Sequence, residues 1–333
     1  MSTPPPPSAP QQPPHQPPSM PPAPPQGQPA QQPQPQQPPQ EHTAMLRTLP
    51  APQDQQAQQA QQQWQSGPPV DTYVSPIPIT KTNLGHALAS EWTKIRSVRS
   101  TMWTLGVMLV LVLGIGTLVG VVAAASDVSS TGASAIGLGS FGVMLGMLCV
   151  VTLGVLTIAS EYGTGMIRTT TTACPSRSRI LAAKAIVFFV LVFVITTIAT
   201  ALVAALQTSM VDAVSATGEE WLRGTVGVGL FVATLGLLSL AVGALVRHSA
   251  GAITIMIGVV LLPLVLAMFM FSESMKDVQE FLLQYSIPSQ LVALYGDSLA
   301  SSGPTGWEPL WIMLGLAALA LAGAFASTES RDV

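Results

Sequence analysis

Residues 103–125 read WTLGVMLVLVLGIGTLVGVVAAA, a run without one Asp, Glu, Lys, Arg or His. A helix rises about 1.5 Å per residue, so a stretch of about 20 apolar residues crosses the hydrocarbon of a bilayer. Five more runs free of acidic and basic side chains follow, at 136–159, 185–206, 225–246, 250–271 and 310–326. Barrel strands alternate apolar and polar positions over about ten residues, and these runs are continuous. Helices are then the remaining way to satisfy the backbone in lipid. The predicted fold is an all-α polytopic membrane protein with six transmembrane helices. Trp307, Pro309 and Trp311 mark an interfacial start to the last and shortest span.

Composition agrees. Of 333 residues 48% are hydrophobic and 9% charged, against about 25% charged in an average globular domain, and the mean hydropathy is +0.48. A water-exposed enzyme is excluded, and a formal net charge of −3 offers no basic surface for nucleic acid. Cys149 and Cys174 form no disulfide or metal pattern. Residues 1–80 are different: they hold 24 of the 29 prolines and 20 glutamines. Such a segment cannot bury enough apolar area to offset its ordering entropy, so a disordered Pro/Gln-rich tail is expected, either a spacer or a docking segment for proline-binding partners. It shows no cationic start and apolar core of a signal peptide. The chain thus divides into a tail, 1–80, and a six-helix membrane domain, 81–333.

Orientation follows from basic residues. Lys81, Lys94, Arg96, Arg99, Arg168, Arg177, Arg179, Lys184, Arg247 and Arg331 fall on the side of the tail, and only Arg223 and Lys276 in the opposite loops, which carry acids instead. The positive-inside rule places both termini in the cytoplasm of a multi-pass protein of the cell membrane. Gly116 and Gly120, Gly142 and Gly146, and Gly243 punctuate the spans; small residues at this spacing let helices approach closely, within one bundle or across a homodimer seam. Pro263 should bend the fifth span.

The span cores carry no carboxylate, histidine or basic side chain, so neither ion-coupled transport nor intramembrane catalysis is expected to have a residue to run on. No lysine stands in a GxxxxGK[ST] phosphate loop. Catalytic, cofactor and metal residues are therefore assigned to none of this chain, and any ATP and magnesium belong to a separate subunit.

Two basic-side elements stand out. In 83–102, NLGHALASEWTKIRSVRSTM, Leu84, Leu88, Trp92, Ile95, Val98 and Met102 share one face of a helical wheel, with Lys94, Arg96 and Arg99 beside it. This is an amphipathic interfacial helix. Glu91 falls inside the apolar stripe, which calls either for a specific partner or for local pairing with Lys94. The second element, 160–184, reads SEYGTGMIRTTTTACPSRSRILAAK, a polar excursion with Gly163, Gly165 and Pro175 as breaks. Its charges serve topology, or it forms one or two small helices that dock on a cytosolic subunit.

SEWTKIRSVRST before span one and EYGTGMIRTT with CPSRSRILAAK after span two resemble the membrane (permease) subunits of type-2 ATP-binding-cassette (ABC) transporters. The resemblance covers residues 83–326. It implies that the loop after span two is a coupling element seated in a cytosolic ABC ATPase, with Glu161, Gly163, Thr164 and Arg168 in or beside the contact and Pro175, Arg177 and Arg179 leading back into span three. It also implies an outer hairpin around Pro288, in FLLQYSIPSQLVALYG, and a homo- or heterodimer of membrane subunits. An uncharged path favours export of hydrophobic or amphipathic cargo. Two other readings stay open: a membrane anchor that recruits partners through its tail, and a facilitative transporter working without ATP. The substrate is not written in any span, and the tail is outside the family pattern.

Overall fold

The computed structural model describes residues 83–126, 135–166, 169, 176–211 and 215–330, all within the unit Pro78–Val333. The expected tail, with Arg168 and Pro175, lies outside the described residues. Among the described residues the chain is all-helical, and six helices are long and apolar enough to cross a membrane. This is a multi-pass membrane protein.

A first helix, α1 (Leu84–Ser97), is capped by Asn83, whose side chain accepts from the His86 amide, and is followed directly by α2 (Arg99–Ala125). A 3-10 turn (Ala135–Gly139) leads into α3 (Ser140–Gly163). Next come α4 (Arg177–Met210) and α5 (Gly218–Leu222), the latter joined through a π-helical turn (Arg223–Gly227) to α6 (Val228–Val246). Helix α7 (Ser249–Met268) runs through Pro263. Two short helices, α8 (Lys276–Tyr285) and α9 (Ile287–Leu294), precede α10 (Glu308–Ser330).

Helix α6 is the centre, packed by α3, α4, α7 and α10. Of its apolar window 78% is buried, against 22% for α2 and α7 and 17% for α10, so those three lie at the periphery of the bundle. Glycine makes the central crossings possible. A Cβ on Gly154 would stand 2.6 Å from the Gly236 carbonyl oxygen, and one on Gly142 2.7 Å from that of Val112. Gly116, Gly146 and Gly243 likewise face neighbours of this same chain. These glycines seat helices within one bundle.

The helices differ from the apolar runs at their ends. The interfacial helix expected over 83–102 is interrupted at Val98, whose extended backbone (φ −84°, ψ 108°) separates α1 from α2. Arg99 therefore belongs to the first span. The excursion expected over 160–184 is shorter than its polarity implied, because α3 continues to Gly163 and α4 already begins at Arg177. Adding a turn to an existing helix is cheap once the helix is nucleated, and Glu161 and Lys184 on these turns find partners. The fifth span ends earlier than expected, at Met268.

Candidate functional site: a buried charge network at the basic end

The turn Leu181, Lys184, Phe188, Val192 repeats at three and four residues along α4, and all four side chains are buried, Lys184 to 1% exposure. On α3 the sequence Gly154, Ile158, Glu161 does the same, with Glu161 3% exposed. On α1 the buried residues are Glu91 and Ile95. Each helix therefore turns one charged side chain toward its packed face.

These charges meet. Lys184 Nζ donates to Glu91 Oε2 at 2.7 Å and to Glu161 Oε1 at 2.8 Å. Lys94 Nζ, at the rim with its side chain 29% exposed, donates to Glu91 Oε1 at 3.1 Å and to the same Glu161 Oε1 at 2.5 Å. Two carboxylates and two ammonium groups cancel, which is the condition under which buried charge is tolerated. Burial by itself would lower the pKa of Lys94, but hydrogen bonding to Glu161, then the charges of Glu161 and Glu91, outweigh it and hold the ammonium above the ordinary lysine value. Glu91 thus has both the local partner and the distant one that its position in the stripe called for.

The next residue extends the junction. The Tyr162 ring lies under the Arg247 guanidinium, 5.1 Å from centroid to Cζ, a cation–π geometry. Arg247 caps α6 in the left-handed region, φ 56°, and its Nη2 donates at 3.5 Å to the Ser327 carbonyl of α10. Consecutive residues at the end of α3 therefore hold α1 and α4 on one side and the α6 cap and α10 on the other.

Of the residues singled out in the sequence, Glu91, Lys94 and Glu161 are brought together. Trp92 and Arg96 are exposed on α1 and Arg99 at the start of α2. Gly163 and Thr164 end α3 exposed, and Gly165 (φ 72°) makes the left-handed turn after it, a helix stop that suits glycine. Arg177 and Arg179 lie in the first turn of α4, Arg179 half-buried. Pro288 sits in the first turn of α9, after the Ser286 cap, and is buried with Ser289, Gln290 and Leu291. The expected outer stretch is thus a helix–break–helix whose second half packs against α3, α6, α7 and α10. Lys184, Tyr162 and Arg247 were not singled out; the 3–4 spacing of Lys184 with Leu181 and Phe188 was the available signal, masked by its place among the loop charges.

The chain matches no protein-family model, and a comparison with curated proteins gives no significant match.

Proposed function

We propose that this chain is the permease subunit of a type-2 ABC transporter, with its basic end and both termini in the cytoplasm, exporting a hydrophobic or amphipathic substrate with ATP hydrolysed by a separate subunit. One observation carries the reading. Both ends of the loop after the second span, at Glu161–Tyr162 and at Lys184, are the points where that loop's helices are tied to α1, α6 and α10. A force delivered by a cytosolic motor to Glu161–Tyr162 and Lys184 would reach α1, α6 and α10 through these contacts. The likeness of residues 90–101 and 161–184 to such permeases supports the same reading, as does the buried α9 in the position of the outer hairpin.

Coupling of this kind requires two packings of the bundle that nucleotide binding in the partner biases differently. This chain supplies the handle and the conduit; the ATPase supplies ATP and magnesium, and a second membrane subunit, identical or related, completes the path.

Copurification with a Walker-motif ATPase, sought first in the neighbouring reading frame, tests the proposal. The full chain should retain the ATPase, deletion of residues 163–179 should abolish retention, and deletion of residues 1–75 should spare it. Vesicles that hold this subunit alone and still drive cargo uphill would overturn the reading.

A further inference from the structure

Beside the charge network lies a cleft of about 240 Å³ between α1, the start of α2 and the end of α3. The geometry points to a binding site for the headgroup of one phospholipid carrying a primary amine. The reasoning begins with the hydroxyls that line it. Thr104, Thr157, Ser160 and Thr164 each donate to a carbonyl of their own helix, at 2.9, 2.7, 2.6 and 2.8 Å. Their hydrogens are committed and their lone pairs are not. Glu161, itself 3% exposed and lining the cleft, has its Oε2 without a hydrogen-bond partner. These groups accept and do not donate.

Lys94 supplies a charged donor at the rim beside them, and Lys184 and the hydroxyls of Ser100 and Thr101 also line the cleft. Lys94 Nζ has three protons, of which two are directed to Glu91 and Glu161, and its side chain is partly open at the rim. A fitting ligand therefore brings several N–H donors and, a few ångströms away, an anionic oxygen. A phosphate linked through two carbons to an ammonium has that arrangement. The remaining lining is apolar, with Ile95, Val98, Leu153 and Leu156, as an acyl chain needs. The position also suits a lipid: the cleft opens where the spans end and α1 begins, at the depth of headgroups. A trimethylated ammonium cannot donate, and a free amine or phosphate has no use for the apolar floor.

Native mass spectrometry of the delipidated full-length chain, offered equal amounts of dioleoyl phosphatidylethanolamine, phosphatidylcholine and phosphatidylglycerol, tests this. One phosphatidylethanolamine should be retained per chain, preferred over phosphatidylcholine by about tenfold, the value of one charged hydrogen bond. Thr157→Val and Ser160→Ala, singly and together, remove acceptors and should bring the preference toward unity; Thr104→Val, on the opposite wall, serves if either fails to fold. Equal retention of phosphatidylethanolamine and phosphatidylcholine, retention of phosphatidylglycerol as strong as that of the amine lipid, or a preference unchanged in all folded variants would each overturn the proposal. None of these outcomes depends on an ATPase partner.

Discussion

The two ends of the bundle arrange their ion pairs in opposite ways. At the basic end, Glu91, Glu161 and Lys184 are almost wholly buried and their bonds join residues as far apart as Glu91 and Lys184. At the acidic end, the ion pairs are one turn long: Lys276 with Glu273, both exposed, and Arg223 with Glu219 at 3.6 Å. There Glu280 accepts from the hydroxyls of Ser301 and Ser302 in full solvent. Exposed pairs contribute about 0–1 kcal/mol, whereas removing one member of a buried pair strands the other in a medium that does not solvate it. The ion pairs of one end therefore join separate elements, and those of the other stay within single turns.

The contrast breaks most visibly at Lys184. Lys184→Met leaves two buried carboxylates facing Lys94 alone and should cost about 3–5 kcal/mol, while Lys276→Ala should cost no more than about 0.5 kcal/mol. Thermal unfolding in detergent compares them, and the double variant Glu161→Gln/Lys184→Met, which restores neutrality, should recover most of the loss. Equal melting of the two single variants would dissolve the distinction between the ends.

A smaller loss is expected where packing rather than charge joins the helices. Gly154→Val places a side chain against the Gly236 carbonyl and should destabilise by about 1–3 kcal/mol. Gly315→Ala, which meets nothing within 4 Å, should leave the midpoint of an SDS unfolding titration within error of the parent.

At Arg247, strain and contact oppose each other. Arg247→Ala keeps the left-handed backbone and loses the Tyr162 contact, at a cost of about 0.5–1 kcal/mol. Arg247→Gly loses the same contact but relieves about 1 kcal/mol of backbone strain, so its melting temperature should exceed that of the alanine variant.

The smallest effects are set by pH and run in opposite senses. Lys94 has a raised value in the folded state, so its stabilisation is complete below the ordinary lysine value, about pH 10, and fades as pH rises through the raised one. The hydroxyls of Ser301 and Ser302 hold Glu280 below the ordinary carboxylate value. Its contribution is complete above about pH 4 and fades as pH falls through the lowered one. Hydrogen exchange should show α1 loosening in alkali and residues 299–304 in acid.

How much of this was legible beforehand depended on range. The spans were readable because 20 apolar residues without charge have one stable solvent, and residue 91 stood out because a carboxylate in an apolar stripe is costly without a partner. Lys184 was not readable as a joint: in one dimension it closes a basic loop, and a topology rule already accounted for it. Nor did periodicity distinguish α6, which is surrounded, from α10, which lies at the periphery of the bundle, since Leu and Gly serve both settings.

Composition and run length alone thus determined that the chain is helical and holds six stretches long and apolar enough to cross a membrane, because the transfer of each residue between water and lipid is a local property. Which charges are buried, and which glycines touch a neighbouring backbone, only the tertiary structure decided. A charge is stable in a low-dielectric interior when its counter-charge is brought there by a different helix, and no stretch of sequence read by itself contains that distance.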